Sequence, residues 1–249
     1  MFDMVVLAVA GFVAGILNAV AGGGTFLTFP ALVWVGLPPV AANATSTLAA
    51  MPGYASAAWA FRHDLRSEGP LRLPGIIATA TLGGVAGAIL LIVTPSDVFT
   101  GVVPWLLLLA TVLFGGGPLL LKLAQSRGLG QAGLLASVFT IALVAIYGGY
   151  FNGGLGIMLL AAFSLLGYQN LHTMNGLKNM ISSIISVVSS IAFVSAGLIV
   201  WKPALVIAVA ITIGGYVGAS QSRRIKNQAL LRWFVTAVGA VTTLIFFLS

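Results

Sequence analysis

Residues 15–47 read GILNAVAGGGTFLTFPALVWVGLPPVAANATST, and residues 148–180 read GGYFNGGLGIMLLAAFSLLGYQNLHTMNGLKNM. Each stretch sets a glycine cluster ahead of a short apolar run, closes the run with a glycine, and continues into a string rich in Asn, Thr and Ser. Asn18 pairs with Asn152, Gly24 with Gly156, Gly36 with Gly167, and Asn43 with Asn175. Further on, GGVAGA at 83–88 matches GGYVGA at 214–219. The offset stays between 131 and 134 throughout. The chain is thus expected to be an internal repeat of two halves, 1–124 and 125–249, joined by the polar stretch Lys122–Gln131.

Composition decides which solvent this repeat meets. Apolar residues make up 59% of the chain and charged residues 6%, with a mean hydropathy of +1.12. A soluble domain carries about 25% charge. A surface this poor in charge needs lipid around it. Apolar runs fall at roughly 4–20, 25–36, 40–61, 73–93, 99–121, 131–148, 154–168, 172–199, 203–220 and 230–248. Eight of them reach the ~17–25 residues that a spanning helix needs. The other two, 25–36 and 154–168, are short, and both follow the glycine clusters. The expected fold class is an all-α polytopic membrane protein of about ten transmembrane segments, with short helices after glycine-rich breaks. The N-terminal run lacks the basic residues of a cleaved leader and reads as the first helix.

Net charge is +7, but the charges are few and sit between apolar runs, a pattern that does not suit nucleic acid. Arg62, Arg66 and Arg72 follow the third run, Lys122 and Arg127 join the halves, and Arg223, Arg224 and Lys226 follow the ninth. If all ten runs cross, these loops share one face, which the positive-inside rule makes cytoplasmic. Both termini then lie on the non-cytoplasmic side. The two halves become an inverted 5+5 repeat, an architecture of secondary transporters. If the short runs merely dip in and return, the last basic loop falls on the wrong side.

In lipid, irregular backbone survives where it lines a cavity or is buried in protein. Two interrupted segments at matching places point to a site near the midplane. Helices that start after such breaks aim free N–H groups and a positive dipole end at it, which suits an anion. The alternative is that the glycines serve close packing. The polar strings supply Asn43, Thr45, Ser46 and Thr47 in the first half. In the second they supply Asn175, Lys178, Asn179, Ser182 and Ser183, most of them at helical spacing on one face. Hydroxyls and amides donate to oxyanions, and they also bond helices together in membrane bundles. Lys178 is a cation inside an expected span, a placement typical of substrate pathways. The competing reading is a lysine that snorkels to the interface. His172 reads as a mark of the helix start.

The acids are Asp3, Asp64, Glu68 and Asp97, all at edges or in loops. Cation carriers and proton pumps place carboxylates in the membrane, and none is available here. Cysteine is absent, no nucleophilic triad or phosphate loop can be assembled, and no metal or other cofactor is called for. An enzyme is therefore not expected. Gly83-x-x-x-Gly87 and Gly214-x-x-x-Gly218 read as helix-packing motifs.

The string NAVAGGGTFLTFPAL at 18–32, followed by AANATST at 41–47, resembles the first signature of the sulfite exporter TauE/SafE family. YGGYFNGGLGIMLLAAFSLLG at 147–167, followed by LHTMNGLKN at 171–179, is similar to its second. The resemblance covers nearly the whole chain. It implies a permease of the bacterial inner membrane for sulfite, an organosulfonate or a related sulfur oxyanion. The implied substrate-binding positions are Asn18, Gly22, Gly23, Gly24, Thr25, Asn43, Thr45, Ser46, Asn152, Gly153, Gly154, Gly156, Asn175, Lys178 and Asn179. The second half lacks a proline matching Pro30, so its short helix is expected to end differently. The expected partners are a small anion and the lipid bilayer. A channel-like pore for anions or small neutral solutes is the competing function, and an intramembrane enzyme subunit a weaker one.

Overall fold

The computed structural model describes residues 2–20, 23–126, 133–222 and 228–248. Gly22 and the basic residues Arg127, Arg223, Arg224 and Lys226 lie outside them. Among the described residues the chain forms α1 (Phe2–Val20), α2 (Thr25–Trp34), α3 (Pro39–Ala60), α4 (Leu73–Val93), α5 (Ser96–Ser126), α6 (Leu134–Tyr150), α7 (Leu155–Leu165), α8 (Leu171–Ser195), α9 (Trp201–Ser222) and α10 (Gln228–Leu248), and no strand. Among the described residues, four helices are long and apolar enough to cross a membrane, within Leu73–Val93, Ser96–Leu113, His172–Ser195 and Trp201–Gly218. That is fewer than the eight expected. Helix α3 has the length, 22 residues, but Asn43, Thr45, Ser46 and Thr47 dilute its apolar character, and these four are buried within the bundle. Large apolar side chains such as Leu82, Leu135, Leu205 and Ile245 cover the outside, as a polytopic protein in lipid requires.

Two boundaries differ from expectation. The stretch Lys122–Ser126 belongs to α5 rather than to a linker, because Lys, Leu, Ala and Gln are good helix formers that extend the apolar helix. The short helices stop at Trp34 and Leu165, a turn's fraction early. Each ends through the same left-handed glycine. Gly36 has φ 93° and Gly167 φ 88°. Leu37 N–H donates to Leu32 C=O at 3.1 Å and Gly36 N–H to Val33 C=O at 2.9 Å; Tyr168 and Gly167 repeat this onto Phe163 and Ser164. These are Schellman caps, so the missing proline does not change how the second short helix ends. Pro30 sits within α2 and leaves its C-terminus to the glycine. Nothing lies within 4 Å of a Cβ built on Gly36, so Gly36→Ala carries a purely conformational penalty of about 1–2 kcal/mol. Thermal unfolding in detergent should show a Tm lower by roughly 2–4 °C per kcal/mol; an unchanged Tm would mean that the cap does not hold in solution.

Glycine contacts give the helix directions. Gly83 abuts Ala142 and Ala145, and Gly87 abuts Ile146 and Tyr150, so α4 and α6 run the same way. Gly11 lies on Ile207 and Ala210, and Gly15 on Ile211 and Gly215, so α1 and α9 also run together. Thr45 bonds Val200 while Gly53 meets Ile211, which aligns α3 with α9. The loop after α3 meets the loop before α8: Glu68 accepts from the Gln169 and Asn170 N–H groups at 3.0 and 3.3 Å, and Ser67 bonds the Tyr168 hydroxyl. Helices α1, α3 and α9 therefore end at the face where α4, α6 and α8 begin.

The packing partners exchange with the halves. α1 packs on α9 as α6 does on α4, and α3 packs on α9 as α8 does on α4; α3 with α8, and α5 with α10, map onto themselves. The two GxxxG motifs lie at the tightest of these crossings, in the packing role read from the sequence.

Candidate functional site

The two glycine breaks, far apart in sequence, touch. Thr25, the first residue of α2, donates its hydroxyl to the Asn152 carbonyl at 3.2 Å. Asn152 belongs to the irregular segment between α6 and α7, and its side chain reaches two further helices. Its Oδ1 accepts from the Tyr54 hydroxyl of α3 at 3.3 Å, and its Nδ2 donates to Ser186 Oγ of α8 at 3.1 Å. Asn152 is 1% exposed. One residue thus joins α2, α3 and α8 at the second break. Phe29 closes the same region, its ring edge-on to Phe151 at 5.4 Å and stacked on Phe246 at 5.6 Å.

Each break is held by further hydrogen bonds. At the first, Asn18 Oδ1 accepts the Gly24 N–H at 2.8 Å. At the second, the Tyr147 hydroxyl donates to Gly153 C=O at 2.6 Å, and Asn43 Nδ2 donates to Tyr150 C=O at 2.9 Å. That carbonyl ends α6 and has no partner within its own helix, so the Asn43 amide satisfies it. Gly154 takes φ 75° at the cap of α7. A Cβ there would lie 2.8 Å from Ala110 Cβ and 3.1 Å from the Phe26 ring. Glycine is required both by the conformation and by this close approach.

The N–H groups of Gly153, Gly154 and Gly156 donate to no protein acceptor among the described residues, and all three glycines are buried. Buried N–H groups are nearly always paired. Three together, at the start of a helix, form a surface that suits an anion's oxygens.

The other expected positions divide. Ser46 faces α2 and shares a 2.6 Å hydrogen bond with Thr28. Thr45 turns away from the breaks and accepts the Val200 N–H at 3.1 Å, fastening the loop between α8 and α9. Gly23 is buried beside Gly24. Lys178 is 4% exposed, so it does not snorkel, and its Nζ donates to Asn175 Oδ1 at 3.1 Å. Asn179 is buried at the same level of α8. The Lys178 ammonium bonds within α8 itself rather than to a break residue. His172 is exposed, and Asn170 caps α8 by accepting the His172 and Thr173 N–H groups at 2.9 and 3.2 Å.

Sequence reasoning passed over Tyr54, Tyr147 and Ser186. A signal was present for two of them. Tyr54 and Ser186 lie 132 residues apart, the offset of the repeat itself, and both bond Asn152.

The sulfite exporter TauE/SafE family model matches residues 7–246. The chain belongs to the sulfite exporter TauE/SafE family. Its relatives carry transporter names. It is 30% identical over 243 residues to a "probable membrane transporter protein" of Haemophilus influenzae, covering 96% of this chain and 92% of that one. It is 29% identical to the "probable membrane transporter protein YfcA" of Escherichia coli K12, covering 95% and 86%. A "probable membrane transporter protein ORF9" of a Sinorhizobium species is 29% identical over 86% of this chain and 80% of that relative. No solved structure matches. The glycine breaks that touch in this TauE/SafE chain are the strings on which the resemblance was read, and the chain is a multi-pass membrane protein of a transporter family.

Proposed function

We propose that the protein is a secondary permease that moves a small anion across the bacterial inner membrane by alternating access. The substrate is sulfite, an organosulfonate or a related sulfur oxyanion. One observation carries this reading: the buried N–H groups of Gly153, Gly154 and Gly156 have no protein acceptor among the described residues, beside a second break that touches the first. Thr25, Asn43 and Asn152 surround that meeting point with hydroxyl and amide groups. Asp3, Asp64 and Asp97 are exposed and Glu68 sits in a loop, so no acid offers a cation a site within the bundle. The opposed directions of α1 and α6, α3 and α8, and α4 and α9 support an inverted repeat, the arrangement in which one half rocks against the other around a midplane site. The face that carries Arg62, Arg66 and Arg72 is cytoplasmic in this reading, and both termini lie opposite. Sulfite can itself carry a proton, so coupling to a proton gradient needs no protein carboxylate.

The test is uptake of radiolabelled sulfite into proteoliposomes, with unlabelled sulfonates as competitors. Uptake should saturate, and liposomes preloaded with unlabelled sulfite should show counterflow. Linear uptake without counterflow would favour a pore. Uptake equal to that of empty liposomes would remove sulfite as the substrate.

A further inference from the structure

Lys178 lies two turns from Ser186 on α8, about 12 Å along the axis at ~1.5 Å per residue. It makes no ion pair among the described residues; its ammonium donates to the Asn175 amide oxygen. The chain has no acid within the bundle to neutralise it, and an ammonium taken out of water without a counter-charge is costly to hold. Between Lys178 and Ser186, on the same face, stands Ser182. It is fully buried and its Oγ has no hydrogen-bond partner. A buried cation without counter-charge and a buried hydroxyl without partner thus sit one turn apart. On the α3 side, Phe61 and Leu65 pack against Gly176, and neither carries charge.

We propose that Lys178 and Ser182 form a second anion subsite. It lies in series with the glycine breaks and nearer the face that carries the Arg62–Arg72 loop. The ammonium supplies the counter-charge, and Ser182 donates to an oxygen of the passing oxyanion. The subsite belongs to one half alone. The position that matches Lys178 in the first half, at the repeat offset of 132, is Ser46, which is already bonded to Thr28. The path to the breaks is therefore charged on one side and neutral on the other, and anion affinity differs between the two faces. The proposal rests on the permease reading and adds a location and a sidedness to it.

The test uses the full chain in right-side-out and inside-out membrane vesicles, with radiolabelled sulfite and ethanesulfonate as probes. For transport starting at the Arg62–Arg72 face, Lys178→Met should raise KM about tenfold or more, the scale of a lost hydrogen bond to a charged group. From the opposite face the change should stay under about twofold, and Lys178→Arg should restore most of the loss, since it retains the charge. Ser182→Ala, which removes one oxygen and spares the charge, should raise KM on the same face by about threefold. Equal changes on both faces, or a KM unchanged in both Lys178→Met and Ser182→Ala, would overturn the subsite and leave the permease standing. Wild-type vesicles that take up neither anion would remove the permease, and the subsite with it.

Discussion

Asn152→Asp should leave the fold intact and lower anion uptake by about a hundredfold, because like charge set against a bound ion costs several kcal/mol. The replacement is nearly isosteric. The main-chain carbonyl still accepts from Thr25, and a carboxylate oxygen still accepts from Tyr54. The Ser186 hydroxyl, which now accepts from Nδ2, can rotate to donate instead. What changes is a full negative charge beside the glycine N–H groups. Sulfite uptake at pH 8, compared with size-exclusion behaviour in detergent, separates charge from misfolding. Uptake equal to wild type would place the anion elsewhere. Asn152→Ala makes a contrasting case. It leaves Tyr54 OH without its acceptor in a buried site and should cost about 1–3 kcal/mol of stability, so its loss of uptake would come with a lower Tm.

Gly214→Val and Gly87→Val should each abolish the folded protein. A Cβ on Gly214 runs into the Phe12 carbonyl of α1, and one on Gly87 into the Ile146 carbonyl of α6. Over-packing a core by a few methylenes costs about 1–3 kcal/mol when side chains can shift. Here the obstacle is the backbone of a neighbouring helix, so the helices themselves must separate. A total stability of about 5–15 kcal/mol leaves little room for that. Gly101→Val is the control, since nothing lies within 4 Å of its Cβ. Size-exclusion profiles after solubilisation should show aggregated or absent protein for the first two and wild-type behaviour for the third. A monodisperse Gly214→Val protein would mean that α1 and α9 do not cross as described.

The glycine breaks were legible because the sequence writes their pattern twice. The ends of the short helices were misread, because the expectation looked to Pro30 whereas Gly36 and Gly167 close both in the same way; the GxxxG pairs announced the crossings. Helix length was less legible. Pattern reading treats Lys122–Ser126 as polar linker, whereas good helix formers carry α5 onward. It also scores α3 as an apolar span, although its inward face is Asn, Thr and Ser. The geometry of the candidate site was half legible. Asn18, Thr25, Asn43 and Asn152 do gather at the breaks. Thr45 turned out to fasten the loop between α8 and α9, which depends on helix rotation that a single hydroxyl does not signal. Tyr54 reads as a lone tyrosine in an apolar run unless it is set against Ser186 at the repeat offset; it became meaningful when α3 was laid across α8 against Asn152. Lys178 was visible as a buried cation, but its separation from the breaks follows from counting turns along α8.

The most direct measurement is the amide NMR spectrum of ¹⁵N-glycine-labelled protein titrated with sulfite. The Gly153, Gly154 and Gly156 resonances should move downfield and saturate with the concentration dependence of uptake, and a neutral sulfone of similar size should leave them in place. Sulfite that is transported while these three resonances stay fixed would contradict the account, because the anion would then pass without meeting the N–H groups of the second break.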